Sequence, residues 1–193
     1  TGLCGAPTTT VVTSWWPAFR KACPRYAISA QVFEELFGVT FKSAPLDTLR
    51  KAFASLDDRR RGIVDGLELF GAIVIFSKGS VQERADALYT FFDFSGKGEL
   101  ELAALGLMID RTFAGLRKTS TYMEVQMTGD LPRALADHAF RISGIDEDKP
   151  MSRAAYEQWW QRDAMIRQTF QKFTESAEEE QGLPLESEWK QMD

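Results

Sequence analysis

The sequence predicts an all-α protein, and three observations support this prediction. Apolar residues recur at intervals of three and four along much of the chain, as on one face of a helix, whereas strand patterns are few. Ser80 and Glu83 form a capping box, which typically opens a helix. A loop pattern also repeats within the 193 residues, which indicates repeated helix–loop–helix units.

The predicted helices follow one another in order. The first covers residues 15–22, and the next carries Phe33, Leu36 and Phe37 on one face. Three later helices carry apolar stripes at helical spacing. These stripes are Leu46, Leu49, Phe53 and Leu56; Val81, Ala85, Leu88, Phe91 and Phe92; and Leu102, Leu105, Ile109, Thr112, Phe113 and Leu116. Segment 77–80 interrupts the helical pattern and is a candidate linker.

Two segments share one pattern over twelve positions: loop II, residues 57–68, and loop III, residues 93–104. Asp falls at position 1, Gly at position 6, an apolar residue at position 8 and an acidic residue at position 9. In loop II and then loop III these are Asp57 and Asp93, Gly62 and Gly98, Val64 and Leu100, and Asp65 and Glu101. Glycine at position 6 permits the sharp turn of a cation-binding loop, and the residue at position 8 pairs with its counterpart in a neighbouring loop.

This repeat resembles the EF-hand superfamily, of the calmodulin, calcineurin B and neuronal calcium sensor kind. Two weaker units extend it: loop I, residues 21–32, with Ile28 at position 8, and loop IV, residues 144–155, with Met151 at position 8. Because EF-hands pair, the resemblance implies two lobes, with an extra C-terminal helix after them. The expected segments are an N-terminal tail over 1–13, lobe 1 over 14–77, lobe 2 over 81–161, and a C-terminal helix and tail over 162–193.

The resemblance also identifies candidate calcium ligands, which EF-hand loops supply from positions 1, 3, 5, 7, 9 and 12. Loop II keeps three of them, Asp57, Asp65 and Glu68. Positions 3 and 5 are Arg59 and Arg61, whose positive charge stands where a cation would sit. One hypothesis is that Arg59 or Arg61 folds inward and pairs with the carboxylates, so that a guanidinium replaces the ion. The alternative is a splayed, solvated loop.

Loop III is the loop most compatible with calcium binding. Its candidate oxygen donors are Asp93, Ser95, Glu99 and Glu101. Lys97 stands at position 5, however, and Ala104 at position 12 lacks the bidentate carboxylate. Loop I has no carboxylate at all, and loop IV has Gly144 at position 1 and Ala155 at position 12. We therefore expect no functional cofactor, with weak calcium binding by loop III or loop II as the alternative.

The resemblance implies a partner as well, because EF-hand lobes of this kind bind an amphipathic helix in an apolar groove. Two tryptophan doublets are candidate contacts, since neighbours on a helix point about 100° apart and one of each pair can face outward. The apolar stripe of the C-terminal helix fits three roles: filling the protein's own groove, contacting a partner or capping the core. The candidate partner-binding residues are Trp15, Trp16, Trp159, Trp160, Phe170 and Phe173.

Composition argues against several classes of function. The net charge of −5 disfavours a general nucleic-acid or anionic-membrane role, and no apolar run reaches the roughly 18 residues of a membrane span. The single histidine and the two cysteines suggest no catalytic pairing. We expect a non-enzymatic adaptor or structural subunit that works mostly without calcium, with a calcium-responsive regulatory subunit as the alternative. The expected location is the cytoplasm, including a cytoskeletal or ciliary assembly, with an organelle reached through a removed targeting segment as the other option.

Overall fold

The computed structural model describes residues 7–40, 45–119, 130–164 and 166, and these residues form an all-α fold, as predicted. The helices are α1 (Thr9–Ala22), α2 (Ala30–Thr40), α3 (Leu46–Leu56), α4 (Gly66–Phe76), α5 (Val81–Phe92), α6 (Leu102–Thr119), α7 (Leu131–Ile142) and α8 (Arg153–Arg162). Within these ranges, every helix is too short or too polar to cross a bilayer. Phe170, Phe173 and most of the expected C-terminal helix lie outside the described residues.

Short antiparallel strands join the loops in pairs, as the resemblance implied. The pairs are β1 (Ala27–Ser29) with β2 (Ile63–Asp65), which joins loop I to loop II, and β3 (Glu99–Leu100) with β4 (Met151–Ser152), which joins loop III to loop IV. The registers place Ile28 opposite Val64 and Leu100 opposite Met151. The residues predicted at position 8 are therefore the ones that meet.

The start of α1 is tied to the linker between the lobes. The N–H of Thr9 donates to the carbonyl of Lys78 at 2.9 Å, and the N–H of Lys78 donates to the carbonyl of Pro7 at 2.8 Å. The Thr8 hydroxyl caps the helix by accepting from the N–H of Val11. Because of this cap, α1 begins at Thr9, within the segment that was expected to be a tail.

The other side of the linker is also hydrogen-bonded. The predicted capping box opens α5: Ser80 Oγ accepts from the N–H of Glu83 at 3.2 Å, and Glu83 Oε2 accepts from the N–H of Ser80 at 2.6 Å. The Arg84 guanidinium donates to the carbonyl of Ser77 through two nitrogens, at 2.9 and 3.1 Å. The linker is thus hydrogen-bonded to the helices on both sides.

The lobes pack against each other through α4 and α6, and two glycines let these helices approach closely. A Cβ atom on Gly115 of α6 would overlap the backbone carbonyl of Glu68, at the start of α4. A Cβ atom on Gly71 of α4 would lie 2.8 Å from the Thr112 hydroxyl of α6. One cluster of buried apolar residues runs through both lobes. The close crossing also brings the polar side chains of α6 against loop II.

Most of the described tryptophans belong to this core, and in the second doublet this corrects the expectation that one member faces outward. Trp16, Trp159 and Trp160 are only 6%, 2% and 2% exposed. Trp16 stacks on Phe91 of α5, with ring centroids 4.3 Å apart, so it connects the two lobes. Both members of the second doublet are buried because α8 is covered over more than the 100° between neighbours. Among the tryptophans that the structure describes, Trp15 alone is half-buried.

Candidate functional site

Loop II folds around the carboxylate of Asp57 at position 1. Its Oδ1 accepts from the N–H of Arg61 at 2.9 Å, and its Oδ2 accepts from the N–H of Gly62 at 2.7 Å. Gly62 has a φ of 71°, a left-handed conformation that glycine adopts without strain. Asp65 caps α4 by accepting from the first backbone N–H groups of that helix. Hydrogen bonds within the chain therefore form the turn of an EF-hand loop.

Glu68, at position 12 of loop II, is paired with two cations of α6. Its Oε1 lies 3.0 Å from Nη1 of Arg111, and its Oε2 lies 2.8 Å from Nζ of Lys118. Arg111 also lies 3.4 Å from Asp65, and Lys118 lies 3.3 Å from Asp58. The Glu68 side chain is only 11% exposed, so these contacts neutralise a nearly buried charge. We call these ion pairs of Glu68 the Glu68 clamp.

The same contacts favour the charged forms of the two α6 side chains. Partial burial by itself would lower the pKa of Arg111, but the carboxylates of Asp65 and Glu68 raise it. Partial burial would likewise lower the pKa of Lys118, but its hydrogen bond to Glu68 and the neighbouring Asp58 raise it. Both groups stay positive at neutral pH, so the Glu68 clamp persists there.

The cations that neutralise loop II are therefore not the predicted ones. Arg59 and Arg61 are exposed, and neither forms an ion pair within the part of the chain that the structure describes. The physical reason is the crossing of α4 and α6. Because Gly115 has no side chain, α6 approaches the start of α4 closely enough for its own cations to reach Glu68.

Sequence reasoning missed Arg111 and Lys118, although one signal was available. They are seven residues apart in α6, with Gly115 between them, so all three lie on one face of the helix. A glycine flanked by two cations on one face indicates a close helix contact with an acidic neighbour. The sequence did not indicate that this neighbour lies in loop II.

Loop III has the same turn without a clamp. Asp93 Oδ1 accepts from the hydroxyl of Ser95 at 2.9 Å and the N–H of Gly96 at 2.8 Å, and Oδ2 accepts from the N–H of Gly98 at 2.7 Å. Burial by itself would raise the pKa of Asp93, but these hydrogen bonds, above all that from Gly98, lower it. At position 12, Ala104 offers no oxygen in its side chain.

The other carboxylates of loop III face a cavity of about 440 Å³. Glu99 and Glu101 line it together with Glu147 and Asp148 of loop IV, and three cationic side chains line it too. Within the described ranges, no three His, Cys, Asp or Glu side chains converge as a metal centre requires. Calcium in loop III would therefore depend on Asp93, Ser95, Glu101 and backbone oxygen, with water completing its shell. The donors present fit a weakly held ion in loop III and do not fit one in loop II.

In loops I and IV, other contacts stand where an EF-hand loop would hold its ion. In loop I, Tyr26 stands at position 6 with a φ of 58°, and its ring lies 6.2 Å from that of Trp16 and 5.6 Å from that of Phe94. Tyr26 thus adopts the left-handed conformation of the usual glycine while its ring packs against other aromatic rings. In loop IV, Asp146 Oδ2 lies 2.6 Å from Nζ of Lys149, which stands at position 6. Neither arrangement offers a calcium site.

Comparison with known proteins gives distant relatives. The chain is 27% identical to S-modulin of Aquarana catesbeiana over 88 residues, which are 45% of this chain and 44% of S-modulin. It is 28% identical to visinin of Gallus gallus over 90 residues, 46% of this chain and 47% of visinin. A longer match, 20% identical over 158 residues, covers 81% of this chain and 73% of guanylyl cyclase-activating protein 1 of Lithobates pipiens. No family model matches the chain.

These relatives confirm the resemblance to EF-hand proteins of the neuronal calcium sensor kind. The matched part spans about half the length of S-modulin and of visinin. The chain is thus similar to regulatory EF-hand proteins.

Proposed function

We propose that this chain is a non-enzymatic regulatory protein that binds a helix of a partner, and that calcium acts on it through loop III alone. The observation that carries the proposal is the contrast between the loops. Glu68 of loop II is held by Arg111 and Lys118, whereas the carboxylates of Glu99 and Glu101 in loop III are exposed. The similarity to calcium sensors supports a regulatory role with calcium as the signal. The cytoplasm remains the proposed location.

An apolar cavity in lobe 1 supports the contact with a partner helix. Its volume is about 150 Å³, and it lies between α1, α2, α4 and the end of α6. Six of its seven lining residues are apolar: Pro7, Trp15, Phe37, Ala72, Ile73 and Phe76. A large apolar side chain on one face of an amphipathic helix is the usual occupant of such a cavity.

A second function, an adaptor that works without calcium, is favoured by the Glu68 clamp. In an EF-hand loop the carboxylate at position 12 moves onto the ion when calcium binds. Here protein cations hold both Glu68 oxygens at 2.8 and 3.0 Å, so loop II is kept in one state. If loop III does not bind calcium either, partner binding is constitutive.

Thermal unfolding of the full chain distinguishes the two functions. An ion that binds only the folded state raises the melting midpoint. We expect a higher midpoint in millimolar calcium than in chelator, and we expect Glu101→Gln to remove this shift while Glu68→Gln retains it. The same midpoint in calcium and in chelator would favour the calcium-independent adaptor.

A helical probe tests the partner contact in both cases. The probe is a fluorescent amphipathic peptide of leucine and lysine, and anisotropy measures its binding. We expect Ile73→Asp to weaken binding about tenfold because it places a charge in the apolar cavity. Val11→Asp is the matched control, since Val11 is 41% exposed and does not line that cavity. Equal binding by both variants contradicts the proposed contact.

A further inference from the structure

A second polar cavity lies between loop II and α6, with a volume of about 420 Å³. Its lining is unusual for an EF-hand loop, because cations outnumber carboxylates. Three carboxylates line it, Asp58, Asp65 and Glu68. Five cationic side chains line it: Arg59, Arg61, Arg111, Arg117 and Lys118. The fixed charges of the lining therefore leave an excess of two positive charges.

The cations fall into two groups. Arg111 and Lys118 hold the three carboxylates through the Glu68 clamp and the contacts to Asp65 and Asp58. Arg59, Arg61 and Arg117 are exposed, and their side chains form no ion pair with any residue in the described ranges. Three guanidinium groups thus face one cavity whose three carboxylates already share two cations, which leaves the excess of two positive charges.

We propose that this cavity binds a phosphate group with two or more negative charges, so that loop II has changed from a cation site into an anion site. Arginine suits this role because its planar guanidinium donates two parallel hydrogen bonds to phosphate oxygens. A dianion matches the excess of two positive charges in the lining. Glu68 does not repel it strongly, since Arg111 and Lys118 already balance that carboxylate.

The partial enclosure of the cavity strengthens this attraction. Charges that face each other across a walled cavity are less screened by salt and water than charges on an open surface. Arg59 and Arg61 come from the loop and Arg117 comes from α6, so an anion would contact both lobes. The ligand would stabilise the contact between α4 and α6 in addition to the Glu68 clamp. This site does not depend on calcium binding by loop III.

The test is calorimetric titration of the full chain with inorganic pyrophosphate, in chelator and at low salt. We expect Arg59→Gln combined with Arg61→Gln to weaken binding at least about tenfold, and Arg117→Gln to weaken it as well. Arg60→Gln is the matched control: Arg60 lies in the same loop and is exposed, but it does not line the cavity. Circular dichroism verifies that each variant is folded. Binding equal to wild type in the double variant, or no binding by wild type, overturns the proposal.

Vesicles identify the source of the phosphate. Phosphatidylcholine vesicles with and without phosphatidylinositol 4,5-bisphosphate are sedimented with the protein. Binding that requires the phosphoinositide, and that pyrophosphate displaces, supports a lipid headgroup at this site. Binding of pyrophosphate without any vesicle binding supports a free phosphate compound. Vesicle binding that the double variant retains in full means that the lipid is held elsewhere, and it counts against the site.

Discussion

Loop II and loop III have the same backbone shape, but they differ in the residue at position 12 and in its contacts. In both, the aspartate at position 1 accepts from the backbone N–H at position 6, at 2.7 Å in each case. In both, positions 4 and 6 have positive φ, between 51° and 75°. The difference lies at position 12, where Glu68 is held by two cations of the other lobe and Ala104 has no polar atom in its side chain.

The turn of the loop and the neutralisation of its charge therefore have separate structural causes. The turn is formed by one aspartate and by residues in the left-handed conformation. The charge at position 12 must be neutralised only where a carboxylate remains and is nearly buried. Loop II keeps that carboxylate, and α6 supplies the cations. Loop III has Ala104 at this position, so no buried charge has to be neutralised there.

The largest expected effect comes from breaking the lobe contact that carries the clamp. Gly115→Ala places a Cβ atom against the carbonyl of Glu68, and backbone there cannot yield as a flexible side chain would. We expect the free energy of unfolding in urea to fall by about 3 kcal/mol.

Gly106→Ala is the control for Gly115→Ala, because it makes the same change in the same helix. A Cβ atom there lies 3.8 Å from its nearest neighbour, Ala136, which is an ordinary contact. Alanine favours the helix, so this variant should be unchanged or more stable by up to about 1 kcal/mol. A similar loss of stability in both variants would mean that the lobe contact is not the cause.

The sequence predicted the turn of loops II and III, but it did not predict the ion pairs that neutralise Glu68. The shared turn of loops II and III follows from a pattern of twelve positions, which is local in the chain. The pairing of Leu100 with Met151 is not local, but it follows from the resemblance to EF-hands, whose loops pair through position 8.

The Glu68 clamp joins Glu68 to Arg111, 43 residues away, and to Lys118, and nothing in the twelve-position pattern indicates that these residues meet, so it depends on how the two lobes pack. The burial of Trp159 and Trp160 likewise depends on neighbours of α8 that the sequence did not identify.

The next effect comes from giving loop III the carboxylate that it lacks. Ala104→Glu restores position 12, and the adjoining cavity of about 440 Å³ has room for the side chain. We expect calcium to bind at least about tenfold more tightly by calorimetry, because affinity rises with the number of charged ligands. Ala103→Glu adds the same charge beside the same cavity but at position 11. An equal gain in both variants would show that net charge matters and position does not.

A smaller effect comes from removing the carboxylate of loop II. Glu68→Gln leaves Arg111 and Lys118 without their shared partner, while the size of the side chain is kept. We expect a loss of about 1 kcal/mol in urea unfolding, limited because Arg111 is 36% exposed and water partly screens it. Glu101→Gln, an exposed change in loop III, should stay within about 0.5 kcal/mol. No difference between the two variants would mean that the Glu68 clamp contributes nothing to stability.

The smallest effect is the loss, in acid, of the stability that ionised Asp93 of loop III contributes to the folded protein. Hydrogen bonds lower the pKa of Asp93 from its ordinary 3.8, so its ionised form stabilises the folded state above that value. As the pH falls through the lower folded pKa, this contribution is lost. The stability advantage of wild type over Asp93→Asn should therefore be full at neutral pH and shrink in acid. It should stay below about 1 kcal/mol because the group is only half-buried and water partly screens it. Urea unfolding of both proteins at neutral and acid pH measures the difference, and an advantage that does not change with pH would show that the hydrogen bonds do not depend on the charge of Asp93.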